Sequence, residues 1–192
     1  MIKIRTLKNF NANDLRQLSR NYISTHKYIV KKTETHERTV ITLKLTALDK
    51  PYVKHDDLDD TLLDRYEQVV QQGLSLGAYD GDRLVGIVIA EQESWNRSLW
   101  VWEFCVAETH RRRGIGKQLM EALADKAKEA GMRVIVCETQ NYNVPAIEFY
   151  RKVGFEIEGI DLSYYSNRDM TEGEVAIFMK RKLESWKEDI FK

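Results

Sequence analysis

The spacing of apolar residues changes several times along this chain, and each change predicts an element. Ile2-Lys3-Ile4-Arg5 alternates apolar and polar side chains, the period of a strand. Asn11 or Asn13 then caps a helix whose stripe is Leu15, Leu18, Tyr22 and Ile23. Tyr28–Lys32 and Arg38–Thr46 are rich in β-branched residues and flank the polar Thr33–Glu37, which predicts a hairpin; Pro51 closes that region. A second helix starts at Asp56 or Asp57, with Leu58, Leu62, Tyr66, Val69 and Val70 along one side. Leu74–Tyr79 and Leu84–Ala90, joined through Asp80-Gly81-Asp82-Arg83, predict another hairpin, and a turn around Trp95-Asn96-Arg97 leads to the apolar run Leu99–Val106.

Helical spacing resumes over Ile115–Ala130, burying Leu119, Leu123, Ala127 and Ala130, and Gly131 is placed to stop it. Arg133–Cys137 is a short strand, parallel to the run ending at Val106 if the crossover is an ordinary βαβ unit. Asn143 caps and Pro145 opens a further helix that carries Ala146, Phe149, Tyr150 and Val153 and ends at Gly154. Phe155–Ile160 and Val175–Met179 are the last strands, with a polar loop, Ser166–Gly173, between them. The tail Glu184–Lys192, with Trp186, Ile190 and Phe191, is either a short docked helix or an oligomer contact.

The chemistry sits where the strand ending at Val106 meets the helix starting at Ile115. Between them the chain reads Arg111-Arg112-Arg113-Gly114-Ile115-Gly116-Lys117. A helix begins with backbone N–H groups that lack intrahelical partners, and its dipole adds positive charge there. Glycines at 114 and 116 remove the β-carbons that would keep an anion off those groups, and three guanidinium groups add donors, so the turn suits a phosphate. A Walker A loop is excluded, because Lys117 precedes Gln118 and the position five before Gly116 is Arg111. A dinucleotide fingerprint is excluded by Leu119 at its third glycine. The pattern Arg/Gln-x-x-Gly-x-Gly/Ala is met by Arg111, Gly114 and Gly116; the alternative is a basic turn with no ligand.

Composition narrows the classes. Lys plus Arg and Asp plus Glu are 30 each, which gives no global field for nucleic acid. Apolar content of 43% and 192 residues fit one ordinary globular domain. No apolar run approaches ~18 residues and the N-terminus lacks a signal-peptide core, so a cytoplasmic protein without a membrane span is expected. Cys105 and Cys137 lie in apolar runs and are expected reduced and buried, with a disulfide between neighbouring strands the lesser alternative; no Cys/His cluster has metal spacing. Asp56, Asp57, Asp59, Asp60 and Asp64 form either a solvated helix face or a negative patch for a polycationic substrate.

A second motif follows the second core strand: Asn143-x-x-Ala146-x-x-Phe149-Tyr150-x-x-x-Gly154-Phe155. In order and spacing with Arg111–Gly116, it resembles the GNAT superfamily of N-acetyltransferases, over about Gly73 to Met179. The resemblance implies an α+β fold, an α/β/α sandwich. Its mixed, mostly antiparallel sheet has a splayed parallel pair in the middle and helices on both faces. It further implies a single domain over 1–192, with 1–72 the variable substrate side and 73–183 the acetyl-CoA-binding core. Acetyl-CoA would be the co-substrate, without a metal. Its pantetheine arm would pair with Phe104, Cys105 and Val106, and its pyrophosphate would lie on Arg111, Arg112, Arg113, Gly114, Ile115, Gly116 and Lys117. Asn143, Ala146, Phe149 and Tyr150 would complete the cofactor site.

Acetyl transfer to an amine needs a base for the ammonium, donors for the oxyanion and an acid for the thiolate. The resemblance points Tyr150 at the sulfur as that acid; helix periodicity alone also allows it as a core aromatic. Glu103, between Trp102 and Phe104, is the first choice of base and Glu138 its competitor; either is otherwise a solvated strand-end acid. Trp102, Glu103 and Glu138 are the candidate acceptor contacts. Ser94–Arg97, Glu138–Asn141 and Leu162-Ser163-Tyr164-Tyr165 also look like streptothricin acetyltransferases, although Trp102-Glu103 stands where a fuller acidic pair is expected. That resemblance implies a small cationic amine acceptor, the β-lysine amine of streptothricin, and hence antibiotic resistance. Acetylation of a protein N-terminus or lysine, and a non-catalytic acyl-CoA sensor, are the alternatives. Nucleic acid and membrane are not expected partners, and a homodimer is left open.

Overall fold

A computed structural model describes residues 1–18, 21–55 and 60–183. The elements run β1 (Ile2–Thr6), α1 (Ala12–Gln17), β2 (Tyr22–Glu34), β3 (Thr39–Lys54), α2 (Asp60–Val70), β4 (Leu76–Asp80), β5 (Arg83–Glu93) and β6 (Ser98–Val106). They continue through a 3-10 turn (Glu108–His110), α3 (Ile115–Glu129), β7 (Val134–Gln140), α4 (Val144–Lys152), β8 (Glu156–Asp161), α5 (Asp169–Glu172) and β9 (Ala176–Lys182). Seven strands are ordered β1-β4-β5-β6-β7-β9-β8, and β2 and β3 form a separate two-stranded sheet. The chain divides into two compact units. Unit 1 is Met1–Arg20, Asp56–Cys137 and Lys180–Lys192; unit 2 is Asn21–His55 and Glu138–Met179.

In unit 1, β1, β4, β5 and β6 pair antiparallel in turn. The expected hairpin through Asp80-Gly81 is present, with Gly81 at φ +62 in the left-handed region that a tight turn requires. β6 then pairs parallel with β7, Ser98–Val101 against Val134–Cys137, and β6 runs on to Val106 beyond the end of that ladder. The crossover between them is α3. Its buried side is Ile115, Leu119, Met120, Leu123, Ala124 and Ala127. Ala130, expected in the core, is instead the exposed C-cap, and Gly131 follows at φ +72 as the left-handed stop. α2 buries Leu63, Tyr66, Val69 and Val70. Its expected caps Asp56 and Asp57, together with Leu58 and Asp59, lie outside the described residues, as does the tail from residue 184.

Unit 2 departs further from expectation. Tyr22 and Ile23 do not extend α1; they open β2, because α1 stops at Gln17. The hairpin strands are much longer than their β-branched cores suggest, and Pro51 lies within β3 rather than ending it. The ladder passes from His26↔Ala47 to Ser24↔Tyr52 with a shift of register, so Pro51 falls in a bulge where no partner needs its N–H. The loop expected at Ser166–Gly173 contains the single turn α5.

The polar centre of this unit is Asn141, buried and fully engaged. Its Nδ2 donates to the Tyr28 carbonyl at 2.8 Å, and its Oδ1 accepts from the Val175 N–H at 2.9 Å. Its own backbone continues both links: Tyr28 N–H donates to the Asn141 carbonyl and Asn141 N–H to the Val175 carbonyl, each at 2.9 Å. Asn141→Ala leaves a buried carbonyl and a buried N–H without partners, so it is expected to cost about 2–4 kcal/mol in urea unfolding. A loss below about 0.5 kcal/mol would show that the side chain is dispensable to this unit.

Candidate active site

The loop of unit 1 is built by backbone geometry. Past β6, Ala107 N–H donates to Val85 carbonyl at 2.9 Å, which keeps the chain on β5 as it leaves the sheet. The 3-10 turn closes through His110 N–H to Ala107 carbonyl at 2.8 Å and Arg111 N–H to Glu108 carbonyl at 3.2 Å. Arg111 Nε reaches back to the Val106 carbonyl at 3.1 Å, so this guanidinium braces the loop as well as charging it. Arg112 (φ +66) and Gly114 (φ +78) are both left-handed. Only glycine takes that conformation without strain, and at Arg112 the fold imposes it. Alternating left-handed residues turn successive N–H groups toward one side and make an anion-binding concavity.

Gln118 makes the first bond of α3, to the Gly114 carbonyl at 3.1 Å, so the N–H groups of Ile115, Gly116 and Lys117 precede the helical ladder. No acid lies in that first turn, and Arg111, Arg112, Arg113 and Lys117 are exposed around it. A β-carbon at Gly114 would meet only Gln118 Nε2, at 3.9 Å, which leaves room in front of the backbone. These features fit a diphosphate.

Also in unit 1, Glu103 is 7% exposed. Its Oε2 accepts from the Tyr66 hydroxyl at 3.4 Å and its Oε1 from the Phe104 N–H at 3.1 Å. The Tyr66 hydroxyl also lies 3.3 Å from the Trp102 carbonyl. A carboxylate inside a strand is tolerated here because both oxygens have donors. Trp102 is engaged as well: its indole N–H donates to Glu91 at 2.7 Å, and Arg65 lies over its ring, 4.1 Å from the centroid, while pairing with the same Glu91 at 2.8 Å. Cys105 and Cys137 are both buried, and no disulfide joins them.

Unit 2 carries the second motif. Asn143 caps α4, accepting from Ala146 N–H at 3.2 Å, and Pro145 sits in the first turn where its missing N–H costs nothing. Tyr150 is 6% exposed, between Phe149 (ring centroids 5.5 Å) and Phe155 (5.3 Å), with Phe149 half-buried.

Glu138 receives the Tyr165 hydroxyl on Oε1. Burial, helped by the nearby Glu174 charge and opposed by the Tyr165 hydrogen bond, pushes its carboxyl up to about 7. Glu174 is held by Lys54 Nζ at 2.6 Å and by the hydroxyls of Tyr52 at 2.9 Å and Tyr22 at 3.4 Å. Burial and that carboxylate push the Tyr52 phenol up to about 12. Tyr142 packs on Tyr52 at 4.6 Å and accepts from Lys27 Nζ at 3.0 Å. Sequence reading missed this cluster, since Glu174 and its partners are far apart in the chain.

The predicted residues therefore fall into two groups. Unit 1 holds Trp102, Glu103, Phe104–Val106 and Arg111–Lys117; unit 2 holds Glu138, Asn143, Ala146, Phe149 and Tyr150. Among the described residues no cluster of His, Cys, Asp and Glu could hold a metal, and no helix is long and apolar enough to cross a membrane.

Comparison with known proteins bears on both groups. Residues 41–155 match the Acetyltransferase (GNAT) family. Over 106 residues, 55% of this chain and 54% of the relative, the sequence is 40% identical to a streptothricin acetyltransferase of Streptomyces lavendulae, so that match spans about half of the relative's length. It is 31% identical to a streptothricin acetyltransferase of Escherichia coli over 71% of this chain and 72% of that one. A putative streptothricin acetyltransferase from Bacillus anthracis, solved in complex with acetyl coenzyme A, superposes with a TM-score of 0.71 at 26% identity, covering 95% of this chain and 99% of that one. A nourseothricin acetyltransferase superposes with a TM-score of 0.70 at 27% identity, over 95% and 98%. The mostly antiparallel mixed sheet with its β6–β7 parallel pair, helices on both faces, is the α+β architecture of those enzymes. By sequence motif, family match and fold, the chain belongs to the GNAT family of acetyltransferases.

Proposed function

We propose that this protein moves an acetyl group from acetyl-CoA to a primary amine of a small cationic acceptor, the β-lysine amine of a streptothricin, and so confers resistance in the cytoplasm. The observation that carries the first half is the loop ahead of α3. Left-handed Arg112 and Gly114 present N–H groups beside the first turn of a helix that has no acid there. A relative that superposes over nearly the whole chain was solved with acetyl coenzyme A. The acceptor is supported by relatives named for streptothricin and nourseothricin.

In this reading Arg111–Lys117 hold the pyrophosphate through backbone N–H groups and guanidinium charge. Phe104, Cys105 and Val106 offer strand backbone to the pantetheine arm, in the stretch where β6 runs past its ladder with β7. Asn143, Ala146 and Phe149 complete the cofactor contacts, and Tyr150 supplies the proton to the leaving sulfur. Trp102, Glu103 and Glu138 serve the acceptor, with Glu103 and Glu138 the two carboxylates able to act as base.

Gly114→Val tests the cofactor half. A β-branched residue resists the left-handed conformation by about 1–2 kcal/mol. If the free loop relaxes, binding must restore that strain, which corresponds to roughly a tenfold weaker acetyl-CoA affinity by calorimetry. Unchanged affinity would move the diphosphate off this loop. Tyr150→Phe is expected to lower turnover roughly tenfold or more while leaving acetyl-CoA affinity close to wild type; undiminished turnover removes its acid role. Thiol release from acetyl-CoA with streptothricin but not with peptides supports the acceptor, whereas release with peptides alone replaces it.

A further inference from the structure

Glu138 is better disposed for proton transfer than its position at the end of a core strand suggested. One of its oxygens, Oε1, takes the Tyr165 hydroxyl, and the other, Oε2, has no hydrogen-bond donor among the described residues. Glu103, by comparison, has donors on both oxygens. Tyr165 is carried by a tightly fixed turn. Its N–H donates to Oδ2 of Asp169 at 2.8 Å, and Ser166 Oγ donates to Oδ1 of the same carboxylate at 2.6 Å. Asp169 is buried, and against the cost of that burial the Ser166 hydroxyl and the backbone N–H groups of Tyr165, Ser166 and Tyr164 hold its carboxyl below the ordinary range. This is much fixed polar structure for one exposed loop, and it aims a phenol at one carboxylate.

We propose that Glu138 removes the proton from the acceptor's ammonium, and that Tyr165 is the positioning residue that holds Glu138 for that step. This rests on the acetyltransfer reading above. The ammonium N–H bond breaks and its proton passes to Oε2 of Glu138, which later returns it to water. The freed nitrogen lone pair forms the C–N bond to the acetyl carbon as the C–S bond breaks. The nitrogen's second proton balances the one delivered to sulfur.

Every group facing Glu138 is compatible with this role. Tyr165 is pushed far above the ordinary phenol range by burial and by Glu138, so it stays a donor. Tyr164, on the same turn, is raised as well, and Gln140, on β7, is hydrogen-bonded to Tyr165. Glu174, just ahead of β9, adds negative charge that favours the protonated carboxyl, while Lys54 and Tyr52 on β3 hold Glu174 in place. A carboxyl near 7 has both forms populated at neutral pH, as a base requires. The Tyr165 hydrogen bond lowers that value, so its removal raises it.

The test is the pH profile of kcat/KM with streptothricin, backed by carbon-13 spectra of the glutamate carboxyl groups without substrate. The wild type should show an acidic limb near about 7. Tyr165→Phe should move the limb upward. Glu138→Gln should abolish it and lower kcat roughly a hundredfold. Glu103→Gln should retain it. A limb kept in Glu138→Gln and lost in Glu103→Gln overturns the proposal, as does a Tyr165→Phe limb in the wild-type place. The spectra should contain one carboxyl titrating near about 7 that vanishes in Glu138→Gln and shifts in Tyr165→Phe. Acetyl-CoA affinity is the check that each variant is folded. If the wild type releases no thiol with any amine, the acceptor reading fails and the base role with it, while the spectra still show whether Tyr165 sets the titration of Glu138.

Discussion

The burial of one side of α3 is the constraint on which the glycine loop ahead of it depends. Ile115, Leu119, Met120, Leu123, Ala124 and Ala127 are all inaccessible, packed toward β1, β4, β5 and β6. A helix is stiff over this length, so seating its apolar side also fixes where its first turn points. The seat is close. A β-carbon on Gly86 of β5 would come within 3.1 Å of Leu119 Cδ1, so any side chain at that strand position would press on the helix. Polar ties steady the outer side, with Lys126 Nζ on Thr6 at 3.1 Å and Arg181 on Glu121 at 2.9 Å.

Unit 2 is organised differently. Its centre includes an amide, Asn141, and a carboxylate, Glu174, each collecting partners from distant segments. Fully satisfied polar networks of this kind specify one arrangement strictly, because any alternative leaves a group unpaired. Apolar packing would tolerate more.

How much of this was legible in the chain follows from the range of the forces involved. α3, its glycine stop and the Asn143 cap were readable, because periodicity and capping are local. So were the Asp-Gly hairpin and the buried thiols. The place of the glycine loop between β6 and α3 was readable, though the left-handed Arg112 was not, since nothing in an arginine announces that backbone. The hairpin of unit 2 was read too short. Tyr22–Thr25 mixes polar and apolar residues without clear alternation, and Pro51 signals an end that the bulge between Ala47 and Tyr52 absorbs. The Ala130 position failed because the last turn of a helix rotates out of the core before the cap. Least legible were the Glu174 cluster and the Asp169 turn, where partners such as Lys54 and Glu174 meet only after folding.

The elevated proton affinity of Glu138 carries a thermodynamic consequence for the protein itself. An unfolded chain releases this proton near the ordinary 4.5, whereas the folded one holds it to about 7. Across that window the unfolded state binds fewer protons, so this residue makes the native state progressively less stable as pH rises, and the loss levels off above the upper value. The negative charge at this position is therefore maintained against the fold by the rest of the core. Neutral glutamine at 138 should relieve that opposition, leaving a chain that resists denaturation better at neutral pH and more nearly as before in acid.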